Sequence, residues 1–235
     1  MDKKKLSAIA LIMAIALSAF GFVYAAWKDY IYIEGTIKMG SLTLAFDYFE
    51  PPKSIEYWLN HTSGQLVEGE FEGKDVGYCS SSYKDLITDP HTGKKGYKTL
   101  VILVENAYPQ YYVHTTFVLH NIGTVPIDIA KYEITGEKKD KNGTLIYNLL
   151  WYDPDGDYIG SLYEDVNNNG KVDDGDIEVI NLKITNKLPY QIDPCNVNKA
   201  EIDMDFKQAA EECHTYLIHV RVVGIQWNKV AEVTK

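Results

Sequence analysis

Cysteine is scarce in this chain: Cys79, Cys195 and Cys213 are the only three in 235 residues, and no C-x-x-C pair exists. That spacing excludes a thiol redox motif and a cysteine zinc site, both of which need closely set thiols. H-E-x-x-H, G-x-S-x-G and a glycine-rich phosphate loop are also absent. Zinc peptidase, serine hydrolase and nucleotide-hydrolysing chemistry therefore lack their frameworks, and we expect no enzyme. The six histidines, His61, His91, His114, His120, His214 and His219, are scattered, although His114 and His120 share strand parity. Basic residues are in deficit, 23 Lys and Arg against 33 Asp and Glu, for a formal charge of -10. An acidic surface disfavours nucleic acid and anionic lipid as partners and offers carboxylates to divalent cations.

There is one long apolar run. Lys3, Lys4 and Lys5 precede residues 6–23, which carry no charge, and small or neutral residues end the run at Val23-Tyr24-Ala25. A basic start, an apolar middle and a small-residue exit read as a secretory signal peptide, residues 1–25, cleaved after Ala25. The run is just long enough to serve instead as an uncleaved anchor. Cleavage removes the three lysines together with Asp2, which leaves -12 on the mature chain. The expected location is extracellular, in a filament or at the cell surface, with no stable membrane association after cleavage.

The mature sequence is dominated by alternation of period two. Residues 41–48, 98–105, 111–119, 127–135, 144–151, 177–184 and 215–227 read as strands rich in Val, Ile, Tyr and Thr. Turn chemistry separates them at Asn121–Pro126, Asn142-Gly143, Asp153–Gly156 and Asp193-Pro194. This predicts an all-β, antiparallel, jelly-roll-like β-sandwich over residues 35–235. Residues 202–213 carry Phe206, Ala209 and Ala210 at helical spacing and predict one short helix. Residues 51–96 and 138–176 read as long connections, the second acidic toward its end.

Within the second connection, Asp153–Asp176, the run 165–176 matches the EF-hand calcium loop, with oxygen-bearing side chains at positions 1, 3, 5, 9 and 12 and Gly170 at position 6. Calcium takes six to eight oxygens. Asp165, Asn167, Asn169 and Asp176 are expected to supply side-chain oxygens, Lys171 its carbonyl, and Asp173 a direct or water-mediated contact. Position 12 is Asp rather than the longer Glu, and strands rather than helices flank the loop, so a structural clip is expected rather than a sensor. Asp153, Asp155 and Asp157 either complete that shell or form a turn of their own.

The sequons at Asn60 and Asn142 are glycosylation candidates in an exported chain. Cys195 and Cys213 flank a short polar stretch, and a disulfide between them would close a small loop worth about 3 kcal/mol in the chain-entropy model. The alternative is three thiols packed as small hydrophobes.

Four segments together carry a family resemblance: Ala26-Trp27-Lys28-Asp29, Glu34–Leu44, Leu119–Pro126, and the terminal Gln226-Trp227-Asn228. They resemble the TasA/camelysin group of biofilm-matrix fibre proteins, and especially the archaeal bundling-pilus subunits related to it. The resemblance implies a jelly-roll subunit that polymerises head to tail with copies of itself by donor-strand complementation, and filaments that bundle laterally. The donor would be residues 26–34, in which Ala26, Trp27, Tyr30, Ile31, Tyr32 and Ile33 offer high β-propensity and could present Ile31 and Ile33 to a groove. The expected function is a secreted structural subunit of an extracellular filament, stabilised by calcium. The alternative is a monomeric calcium-stabilised adhesin or carbohydrate-binding β-sandwich module.

Overall fold

The computed structural model describes residues 11–15, 40–60, 62–69, 77–186 and 191–226. Two compact units divide the chain, Met1–Met39 and Gly40–Lys235. In the first, residues 11–15 are helical, and no described helix is long and apolar enough to cross a membrane.

The second unit is all-β and antiparallel. Its strands are β1 (Leu44–Asp47), β2 (Lys53–Asn60), β3 (Gln65–Glu68), β4 (Tyr78–Thr88), β5 (Lys95–Glu105), β6 (Tyr111–Asn121), β7 (Ile127–Lys139), β8 (Leu145–Tyr152), β9 (Ile159–Glu164), β10 (Ile177–Asn186), β11 (Gln191–Ile192), β12 (Val197–Phe206) and β13 (Thr215–Gln226). Nine of them form a closed ring in the order β1-β5-β13-β7-β8-β9-β10-β12-β6, with β6 returning to β1. Outside it, the β2–β3 hairpin pairs with β6, β4 with β5 and β11 with β7. The antiparallel all-β sandwich expected from the alternation is borne out, its two layers closed into a barrel-like ring where β1 bridges β5 and β6.

Strict alternation explains most strands. In β6, Tyr111, Val113, Thr115 and Phe117 are buried while Tyr112, His114 and Thr116 are half-exposed, and in β12 Asn198, Ala200, Ile202, Met204 and Phe206 are the buried set. These meet Leu100, Ile102 and Val104 of β5 and Tyr216, Ile218 and Val220 of β13 in one apolar core. Edge-to-face contacts link Tyr111, Phe206 and Tyr216 along it.

Closure at β1 depends on missing side chains. A Cβ on Gly96 would lie 2.5 Å from Ala45 Cβ and 2.9 Å from the Phe46 carbonyl, and one on Gly123 would lie 2.4 Å from the Ser41 carbonyl. Asp89 then ties the strand's approach down by accepting from Thr43 Oγ1 at 2.6 Å, while its other oxygen caps the turn by accepting from His91 N–H and Thr92 N–H at 2.9 and 2.8 Å. Burial pushes the Asp89 carboxyl up, but these donors outweigh it and hold the group well below the usual carboxylate range.

Three expectations are corrected. Residues 51–96 contain β2, β3 and β4 rather than a loop; the Ser80-Ser81-Ser82 run in β4 hides its alternation. Residues 202–206 belong to β12 and 207–213 are turns, so no helix forms there. The apolar spacing of Phe206 and Ala210 reflects a strand end followed by a turn, both buried. Residues 138–176 contain the end of β7, β8 and β9 rather than one long connection, so Asp153–Asp176 is two turns on either side of β9.

One charge lies inside the barrel wall. The Lys138 ammonium donates to Glu164 at 2.7 Å and Glu211 at 2.8 Å, with side-chain exposures of 2%, 3% and 61%. Burial opposes the Lys138 charge, yet the two carboxylates overcome it and raise its pKa, while burial pushes Glu164 up. Removing one partner strands the other, so Lys138→Ala should cost about 3–5 kcal/mol in denaturant unfolding, whereas Lys138→Met combined with Glu164→Leu should lie within about 1 kcal/mol of the parent.

Candidate functional site: an acidic turn and an unpaired sheet edge

Residues 165–176 connect β9 to β10, directly after the buried Glu164. Asp165 is itself buried, 4% exposed, and its N–H donates to the Asn148 carbonyl of β8 at 3.0 Å. Its carboxylate accepts from the N–H groups of Asn169 at 3.0 Å and Gly170 at 2.9 Å. Asn167 Oδ1 accepts from Asn169 N–H at 3.0 Å and Asn169 Oδ1 from Lys171 N–H at 2.7 Å. Asp176 closes the turn by accepting from Val166 N–H at 3.1 Å and Asp173 N–H at 2.9 Å. The left-handed φ of Asn168, 54°, and Gly170, 72°, permits this tight succession.

The carboxylate of Asp173 is the centre on which the turn converges. The amides of Asn167 and Asn169 donate to it at 3.0 and 2.6 Å. Gly175 N–H foremost, then these amides, lower its pKa. Among the described residues no group of three or more His, Cys, Asp and Glu side chains is placed to hold a metal ion. A cation here therefore depends on the Asn167 and Asn169 amides turning over to offer oxygen in place of nitrogen. The side chains of the template sit on one continuous turn, with only Asp165 fixed from below.

The second acidic group, Asp153 to Asp157, does not join them. Asp153 accepts from Gly156 and Tyr158 N–H at 2.9 Å each, and Asp157 from Ile159 N–H at 2.9 Å. They cap the β8–β9 turn at the opposite end of the six-residue β9, about 20 Å from the β9–β10 turn.

An unpaired edge is the feature that sequence reasoning missed. β4 lies outside the ring and hydrogen-bonds β5 on one side over Tyr78–Thr88, and no described strand pairs its other side. Its inward Cys79 and Tyr83 pack on the core. Asp85 breaks the edge with φ 62°, held by Thr99 Oγ1 at 2.7 Å, so Tyr78–Lys84 forms the regular segment. β2 runs nearby without a ladder to β4.

The remaining sites fall as follows. Ala26, Trp27, Tyr30, Ile31, Tyr32 and Ile33 lie outside the described residues. Asn142 is exposed in the β7–β8 turn, where Asp140 accepts from its N–H at 2.9 Å, and Asn60 ends β2, its Oδ1 accepting from Thr62 N–H at 2.9 Å. His114 and His120 do share the outer face of β6, and each meets a carboxylate, Asp203 at 2.7 Å and Asp47 at 2.8 Å. Compared with family models, curated proteins and solved structures, the chain matches none.

All three cysteines are free thiols, so the expected Cys195–Cys213 bridge is not formed. The two flank opposite ends of the ten-residue β12, about 30 Å long, which no disulfide spans. Cys79 is half-buried, and burial foremost, then the Glu56 charge, pushes its pKa up to about 11. In a thiol titration of the native, unreduced chain at pH 8, Cys195 and Cys213 should react promptly and Cys79 about a hundredfold more slowly until the protein is unfolded. Only one reactive thiol after unfolding would restore the bridge.

Proposed function

We propose that the chain is a structural subunit of an extracellular filament, assembled by donor-strand complementation in which residues 26–34 of one copy add to the sheet of the next. The observation that carries this reading is the free side of β4. A closed barrel leaves no edges, yet this one keeps an eleven-residue strand outside the ring with one side unpaired among the described residues. Main-chain hydrogen bonds from a donor strand would supply strength there, and alternating side chains would set register. Such exchange is head to tail and does not close on itself, so its product is a filament.

Calcium at Asp165, Asn167, Asn169, Lys171, Asp173 and Asp176 would clip β9 to β10 and offset repulsion between acidic neighbours in bundled filaments. Support comes from the full spacing match of the loop, from the two loop N–H groups that order the Asp165 carboxylate and from its buried footing.

Electron microscopy of the purified chain tests the assembly. The intact mature chain should form filaments, deletion of residues 26–34 should leave monomers, and excess synthetic peptide 26–34 should cap growth. Filaments that survive the deletion, or monomers alone from the intact chain, would sink the proposal. Calcium at about a hundred times its dissociation constant should raise the melting temperature by about 5–10 °C over chelator, a shift that Asp165→Ala abolishes. Equal melting temperatures with and without chelator would remove calcium from the account.

A further inference from the structure

The outer face of β2, β6, β12, β10 and β9 holds a depression of about 760 Å³, within the range of small-molecule and oligomer sites. Its floor is a cross-strand row read directly from register: Tyr57 opposite Tyr112, Tyr112 opposite Asp205, Asp205 opposite Asn181, and Asn181 opposite Ser161. A parallel row runs through His114, Asp203 and Lys183. The apolar side chains of Leu66 and Ile159, both exposed, stand among the lining residues. Because Val113, Leu182 and Met204 point the other way into the core, both rows face solvent by alternation.

The chemistry of this face selects among ligand classes. β6, β12, β10 and β9 are paired on both sides, so the floor offers no free main chain to an extended peptide, and strand addition is confined to the edge of β3 at the margin of the face. Carboxylates disfavour phosphate and sulfate: Asp203 and Asp205 lie in the rows and Glu178 beside Ser161, against Lys183, while Lys207 is engaged with Asp205 at 3.0 Å and His114 with Asp203 at 2.7 Å. Tyr57 and Tyr112, paired across β2 and β6, bring two amphipathic phenol side chains to neighbouring positions on this face. Carboxylate, amide and hydroxyl groups flank them, ordered by one another: Ser161 Oγ donates to Glu178 at 2.9 Å and lies 2.7 Å from the Asn181 amide. A ligand that matches both features carries an apolar C–H face and a rim of neighbouring hydroxyls.

We infer that this face binds an uncharged hexopyranose chain. The sugar faces stack on Tyr57 and Tyr112, and ring hydroxyls bond to Asp203, Asp205 and Asn181. Five strands at about 4.8 Å spacing give a platform about 19 Å long, enough for several sugar units. The residue network is preorganised, which limits the ordering cost of binding. In a filament the face would repeat once per subunit, and weak single sites would act together. The inference does not rest on assembly, since every residue named belongs to one chain.

Isothermal titration of the purified chain with cellohexaose, maltohexaose, mannohexaose and chitohexaose tests it, with a heparin hexasaccharide as the charged comparator. At least one neutral hexasaccharide should bind, and Tyr57→Ala and Tyr112→Ala should each weaken it about tenfold or more. Asp205→Asn should weaken binding with the melting temperature held, while Leu145→Ala, exposed at the end of β8 remote from Ser161, should leave it unchanged. Near-ultraviolet circular dichroism confirms that each variant is folded. Absence of binding to all four neutral sugars, equal binding in a folded Tyr57→Ala/Tyr112→Ala variant, or preference for the heparin fragment would overturn the inference. Running the titrations with and without residues 26–34 separates this result from the filament reading.

Discussion

The four residues of β1 hold the barrel shut. Leu44, Ala45 and Phe46 pair with β6 while Phe46 and Asp47 pair with β5, so one short strand spans the seam between the two layers. Backbone hydrogen bonds of this kind are individually modest, but an unmade one in a buried seam is expensive. Everything at the seam serves to make them: glycines at 96 and 123 let backbone approach backbone, and Asp89 fixes the entering chain through Thr43. Asp47 accepts from the N–H groups of Phe49 and Glu50 as the chain leaves. Phe46 is thereby delivered between Phe117 and Tyr83, which completes the aromatic end of the core.

A second constraint couples the core to the acidic turn. Glu164 is fixed by Lys138, and the next residue, Asp165, begins the loop. The buried ion pair contributes little net stability, because desolvation of both charges consumes most of their attraction. What it provides is position: the last residue of β9 cannot slip in register without stranding a charge. The turn therefore starts from a rigid point although most of its residues are exposed.

The strands with clean alternation were legible in the sequence, and β6, β10 and β13 fall within a few residues of their expected bounds. β4 was not, because Tyr78–Thr88 mixes three serines with charges and satisfies neither period. β12 was misread at its end, because Ala209 and Ala210 continue the apolar spacing of Phe206 into a turn. The calcium template was fully legible as a pattern, since each oxygen-bearing side chain is named by its spacing. The geometry adds that the Asn167 and Asn169 amides face Asp173. The facing tyrosines 57 and 112 lie 55 positions apart, and only strand register brings them together.

The final strand has a consequence for how the molecule comes into being. β13 lies between β5 and β7, bonded to both, although it is the last strand among the described residues. Neither layer can close before residues 215–226 arrive. A chain emerging from its N-terminus thus leaves the ring open until these residues have been delivered, and long-range pairings of this kind form slowly. Such a topology leaves the compact state to a late step of folding.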